Sequence, residues 1–416
     1  MAAAPEMETI QAIAGAACEH SPRAGTYPLR AEVLTHAGVI RITIHDRFDT
    51  AAQVWRAMET SGATMTPYQR MDFLRAWHEP LGKSEGIELR IVEGRNETGQ
   101  AMFIWPLGLC GGYGFRKLGW LGGKHANYGM GVYDRDGIGS VKPEDWRKLM
   151  AEAVRLGGGD AAVLLNQPET FEGFANPLAA LRSFGSASAC HAIDLGHDYN
   201  ALMERLRSRS SRKKIRRNIR RLEETAGPVE LRHAVTHADI IEALAALRAH
   251  KQQLDDSRAD RHIFSDSTVI GFLTQAAMPH DDGSPSALEI HTLHAGDRIV
   301  ATFGCAVSDK RAAGTFISFD LDEFAQSAPG EILIAMLLEH FCARGIETFD
   351  LGVGDAEYKR RWCHDKEPLF DSVVAASLRG RLLTAPVASL SLRLKALVKR
   401  SPRLLGMIHS LRGRLA

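Results

Sequence analysis

The sequence has few features that would brace or anchor the chain from outside its own core. Its six cysteines, Cys18, Cys110, Cys190, Cys305, Cys342 and Cys363, stand singly, with no C-x-x-C pair. That spacing argues against a zinc ribbon or a dithiol redox centre, and no metal site is expected. It suits a reducing cytosol better than a secreted disulfide framework. No run of about 18 apolar residues occurs, so no transmembrane helix is expected. The first residues have neither the basic start nor the apolar core of a signal peptide, and a cytoplasmic protein is expected. Net charge is nearly absent: 51 Lys and Arg face 50 Asp and Glu, so the whole chain is not a polycation built for nucleic acid. Nucleotide P-loop chemistry is not indicated, because Gly122-Gly123-Lys124 is followed by His125 and lacks the upstream glycine. Neither G-x-S-x-G nor H-E-x-x-H occurs.

What is present is an ordinary globular composition, 45% hydrophobic and 24% charged, over 416 residues. That length suits two or three domains and a core that needs no disulfides. Residues 1–35 are rich in Ala, Gly and Pro and are expected to form a loose tail. A first α/β half follows, over 36–198. Val39–Ile44 reads as a strand, and Ala51, Val54, Trp55 and Met58 have the spacing of one helix face. Strands at Ile87–Glu93 and Ala101–Leu109 flank a turn at Asn96-Glu97-Thr98-Gly99, and a helix over 142–156 precedes a short strand at Ala161–Leu165. The second half, 199–378, repeats the order. Three strands over 288–320 form a meander, a helix runs from Pro329 to about Arg344, and Thr348–Leu351 is a strand. This is a mixed α/β class rather than the strict alternation of a doubly wound sheet.

Two segments break the charge balance. Between Arg205 and Arg221 lie ten Lys or Arg and no acid, and from Ser372 to Ala416 nine and again no acid. The first run has Ile215, Ile219 and Leu222 on one helical seam and no interleaved aromatic. It reads as a helix with a charged outer face rather than a nucleic-acid patch. The basic tail, 379–416, mixes leucines with cations. It is expected either to pack on its own domain or to lie on an anionic membrane surface.

The densest chemistry lies late in the chain. Pro329-Gly330 opens a helix, whose first turn presents free N–H groups and the positive end of the helix dipole. Ala328, Pro329, Gly330, Glu331, Ile332 and Leu333 are therefore candidates to hold a phosphate group, Gly330 by leaving room for it. The strand end Asp350-Leu351-Gly352-Val353-Gly354 permits a tight turn. Beyond it, Asp355, Tyr358, Lys359 and Trp362 fall on one helical stripe. An acyl transfer needs a base, a contact for the oxyanion and a proton for the leaving group. Asp350 or Asp355 suits the base or its orienter, Lys359 the anion contact, and Tyr358 the proton donor. The competing reading is a solvated Asp355–Lys359 ion pair over a packed Tyr358.

Residues 205–374 resemble the GNAT acyltransferase superfamily. The resemblance rests on the basic helix Ser211–Leu222, the meander, Pro329-Gly330-x-x-Leu333 and Asp350-Leu351-Gly352-x-Gly354-Asp355-x-x-Tyr358-Lys359. Within that superfamily the segment is similar to the cellulose- and exopolysaccharide-associated (CelD/BcsL) branch, related to the FemABX transferases. Thr66-Pro67-Tyr68, Phe73, Trp77, Pro106-Leu107 and Asn127-Tyr128 extend the resemblance to the first half. It implies tandem GNAT-like domains and an acyl-CoA such as acetyl-CoA as donor, with its pyrophosphate near Pro329-Gly330. An aminoacyl-tRNA donor stays open through the FemABX relation. The acceptor would be an amine or hydroxyl, on a sugar or polysaccharide precursor in that branch, with Trp77, Asn127, Tyr128 and Asp320 as candidate contacts. A non-catalytic module of exopolysaccharide assembly is the remaining alternative, and no nucleic-acid partner is favoured.

Overall fold

The computed structural model describes residues 28–112, 115–254, 263–280, 284–354, 356–363 and 366–400. Of the expected features, residues 1–27 of the N-terminal tail, Asp355, and residues 401–416 of the basic tail lie outside the described residues. Strands are numbered in chain order: β1 Leu29–Thr35, β2 Gly38–His45, β3 Glu88–Arg95, β4 Ala101–Gly112, β5 Phe115–Trp120, β6 Val132–Tyr133, β7 Ala161–Pro168, β8 Thr170–Phe171, β9 Phe174–Ala175, β10 Arg182–Asp194, β11 Val229–Ala234, β12 Glu289–Ala295, β13 Arg298–Val307, β14 Arg311–Phe319, β15 Thr348–Val353 and β16 Glu367–Ala375.

The described chain divides into two compact units, one of residues 28–78, 82–189 and 368–400, the other of residues 79–81 and 190–367. In the first, β1 to β5 form an antiparallel meander, the helix Pro143–Leu156 crosses over, and β7 returns parallel to β5. Its core is aromatic. Trp105 stacks on Phe103 with ring centroids 4.3 Å apart, and its indole N–H donates to Tyr133 Oη at 3.2 Å. Burying an indole with its N–H satisfied avoids the cost of an unpaired donor.

The second unit uses the same order. β11 to β14 form the meander, the helix Pro329–Ala343 crosses over, and β15 returns parallel to β14. That helix is apolar on nearly every face, so it is buried on nearly every face: Ile332, Leu333, Ile334, Leu337, Leu338 and Phe341 all lie in the core. The basic helix Arg209–Ala226 starts at Ser208, whose hydroxyl accepts the Ser211 N–H, and buries only Ile215, Asn218 and Leu222. Its cationic face is exposed, as its narrow apolar seam requires.

Two boundaries differ from the expected ones. Leu29–Thr35 alternates apolar and polar residues and pairs with β2, so the tail ends before residue 29. β16 joins the first unit, antiparallel to β7 from Leu369↔Pro168 to Ala375↔Ala161, although the sequence reading placed it in the second half. In the second unit the equivalent neighbour of β15 is residues 190–194 of β10, also antiparallel. No described helix is long and apolar enough to cross a membrane.

Candidate active site

The site is built where β14 and β15 part. They pair for only three positions, Arg311↔Thr348, Ala312↔Phe349 and Ala313↔Asp350. Beyond these, β14 continues from Gly314 to Phe319 and β15 from Leu351 to Val353 without a shared ladder. The backbone groups along this wedge lack each other as partners. Thr315 Oγ1, on the wedge, also has no hydrogen-bond partner among the described residues. The crossover helix begins beside the carboxyl ends of both strands, the side on which open α/β sheets hold ligands.

The mouth of that helix is cationic. Ala328, its N-cap, is left-handed (φ 49°), Pro329 occupies the first turn, and no backbone acceptor is found for the Gly330 N–H among the described residues. Glu331 faces two arginines, with Arg207 Nη2 3.6 Å and Arg361 Nη1 3.3 Å from its carboxylate. Arg207 packs over the Trp362 ring at 4.5 Å and donates to the Arg361 carbonyl at 3.1 Å. Its side chain is 10% exposed, yet its Nε is buried without a hydrogen-bond partner among the described residues, as is Trp362 Nε1. Arg221, from the basic helix, donates to the Gln326 carbonyl at 3.2 Å. Two guanidinium groups therefore face one carboxylate and a third, Arg221, holds the loop before the helix, beside an N-terminus whose Gly330 N–H has no acceptor among the described residues. Such an arrangement receives a multiply charged anion such as a diphosphate.

Gly330 has a different reason from the expected one. A Cβ there would lie 2.8 Å from the Phe319 ring, so the glycine admits an aromatic side chain rather than a phosphate. Replacing Gly330 with Ala is expected to cost about 1–3 kcal/mol, because the ring must be displaced. Urea unfolding checks this, and adding Phe319→Leu should recover part of the loss.

Asp350 is fully buried. Cys190 Sγ donates to its Oδ1 at 3.0 Å, the Gly352 N–H donates to the same oxygen, and Arg311 Nε lies 3.4 Å from Oδ2. Arg311 is itself buried and reaches Glu367 at 2.6 Å. Burial, and then the Asp350 charge, push the Cys190 thiol well up, which keeps it a donor. Held this way, Asp350 pins the turn at Gly352 (φ 80°). Lys359 is buried at the start of the next segment and donates to the Val353 carbonyl at 2.9 Å, fixing its ammonium at the end of β15. Tyr358 is half-buried and packs against the core of the same unit. Asp320 is built into the turn after β14. Burial would raise its pKa, but the N–H groups of Phe324 and Asp322 and the Gln253 amide hold it below the usual carboxylate range.

The other expected acceptor contacts lie in the first unit. Trp77 is 1% and Tyr128 2% exposed, so neither offers a face to an acceptor. The Trp77 indole donates to His125 at 3.2 Å, and Tyr128 packs edge-on to Tyr68. Large aromatic side chains gain more from the core than from a cleft wall, which overrides the expected role. Asn127 is half-buried and donates to Tyr68 Oη at 2.8 Å. Sequence reasoning did not single out Arg207. It is one of ten cations in a basic run, and only the tertiary fold sets it apart.

Residues 209–360 match the family described as "Acetyltransferase (GNAT) domain". Among solved structures, FemX is similar over 80% of this chain and 97% of its own, at 10% identity and a TM-score of 0.53, which shows a shared fold. A tandem GNAT protein from the clavulanic acid biosynthesis pathway is similar over 81% of this chain and 99% of its own, at 13% identity and a TM-score of 0.42. L-PGS from Bacillus licheniformis is similar over 79% and 97%, at 10% identity and a TM-score of 0.42. No match to a curated protein sequence was found. The fold is mixed α/β and GNAT-like, with the meander, helix and parallel strand present in each unit.

Proposed function

We propose that this chain is an acyltransferase that moves an acyl group from acyl-CoA to an amine or hydroxyl acceptor, with a sugar as the acceptor class. The observation that carries this reading is the wedge between β14 and β15, opening onto a helix mouth lined by Arg207, Arg221 and Arg361. In the reaction the acceptor attacks the thioester carbonyl, the C–S bond breaks, and the departing thiolate takes a proton. Tyr358 is assigned as that proton's donor, Lys359 as the cation facing the developing oxyanion, and Asp355 as the base. Asp350 is assigned to positioning, since its fully buried carboxylate is engaged by Cys190, the Gly352 N–H and Arg311.

Calorimetric titration tests the donor. CoA and acetyl-CoA are expected to bind one per chain, and acetyl-CoA to release free thiol when an amino sugar is added. Absence of any CoA affinity removes the proposal. Thiol-independent transfer from a charged tRNA would instead select the donor that the FemABX resemblance leaves open.

A further inference from the structure

At the other end of the crossover helix lies a second cluster that acyl transfer does not use. The register places it: Glu289 and His291 share one face of β12, Cys305 stands directly opposite Glu289 on β13, and His233 stands opposite His291 on β11. The end of the helix Pro329–Ala343 covers this face, bringing the His340 ring to 5.1 Å from that of His291. A helix of 15 residues is about 22 Å long at 1.5 Å per residue, so this cluster is well separated from the helix mouth.

The three central groups lie close together. One ligand atom each from Glu289, His291 and Cys305 falls within 4.8 Å of the others; His291 and Cys305 are fully buried and the Glu289 side chain is 12% exposed. His291 is fully buried, and its Nδ1 has no hydrogen-bond partner among the described residues. Its Nε2 lies 3.0 Å from Glu289 Oε2. Arg344 grips the same carboxylate with two bonds, of 2.6 and 2.9 Å. As an apolar core position this is poor, since a buried imidazole nitrogen is left unpaired at a cost of about 1–3 kcal/mol. As a coordination sphere it is coherent, with sulfur, nitrogen and oxygen donors and a carboxylate already oriented by an outer partner.

We propose that Cys305, His291 and Glu289 bind a single divalent cation of the zinc class, with the fourth position beside His340. The donor set selects the metal: a thiolate and an imidazole favour zinc over magnesium or calcium, which take oxygen ligands. On binding, the Cys305 S–H bond breaks heterolytically, the sulfur keeps the electron pair and bonds the metal, and the proton passes to solvent. The ion ties β12 and β13 together beneath the far end of the helix whose mouth forms the candidate active site. Its role is structural and independent of the acyl donor.

Cobalt titration of the chelator-treated full chain tests this. Co²⁺ is expected to bind one per chain, releasing a proton and giving a thiolate-to-cobalt charge-transfer band, and Zn²⁺ to displace it with loss of the band. Saturating Zn²⁺ should raise the thermal midpoint by several degrees and Mg²⁺ should not. Cys305→Ser should abolish the band, and His291→Gln serves the same purpose if the first variant does not fold. A wild-type chain without the band or without the Zn²⁺ shift overturns the proposal. So does a band that survives in Cys305→Ser, which would place the metal on another cysteine.

Discussion

Arg207→Ala is expected to weaken CoA binding by about 10- to 150-fold, the equivalent of about 1.5–3 kcal/mol for a hydrogen bond to a charged group. The guanidinium is nine-tenths buried, packed on Trp362, and has a buried Nε with no partner among the described residues. A group placed in this way has already lost its water, so an arriving diphosphate gains a charge-assisted bond without a fresh desolvation cost. Arg207→Lys should restore only part of the affinity, because an ammonium lacks the planar fork. Glu331→Gln provides the opposite sign: it removes the carboxylate that competes for Arg207 and Arg361, and CoA should bind more tightly. Titration calorimetry on the three variants checks the set. Equal affinities throughout would mean that the donor's charge sits elsewhere.

Asp350→Ala is expected to destabilise its unit by about 3–5 kcal/mol, the range for breaking a buried ion pair from one side. The loss would leave Arg311 with Glu367 as its remaining carboxylate and would strip the Gly352 N–H and Cys190 of their acceptor. Asp350→Asn keeps an acceptor and loses the charge, so it should cost less, about 1–3 kcal/mol. Urea unfolding followed by tryptophan fluorescence reads the effect in the transition of that unit, because two units need not unfold together. A base would behave differently: Asp350→Asn would then unfold like the parent and lose only turnover.

The order of elements was legible where one periodicity dominated. Ala51, Trp55 and Met58 mark a helix face and are buried as such, and the meander over 288–320 appears as β12, β13 and β14. Leu29–Thr35 alternates just as clearly, but its Ala- and Pro-rich surroundings hid it. β16 illustrates a firmer limit. Its pattern marks a strand, but the choice of β7 as partner is made by contacts some 200 residues away in sequence, which local pattern does not carry. The site shows the same division. Asp350, Gly352 and Lys359 stand out by spacing, and the structure brings them together at the end of β15. The reason for Gly330 and the isolation of Arg207 depend on Phe319 and Trp362, neighbours in space only. The single cysteines show no metal spacing because the proposed ligands are drawn from two separate strands, β12 and β13.

In the proposed reading the donor's diphosphate sits at the mouth of the helix Pro329–Ala343, with the rest of the donor along the opened ladder between β14 and β15. Hydrogen exchange measured by mass spectrometry, with and without CoA, tests it most directly. CoA is predicted to slow exchange in peptides spanning 314–319, 329–333 and 351–353, where backbone N–H groups gain an acceptor. Unchanged exchange in all three peptides at saturating CoA, with protection elsewhere in the chain, would contradict it.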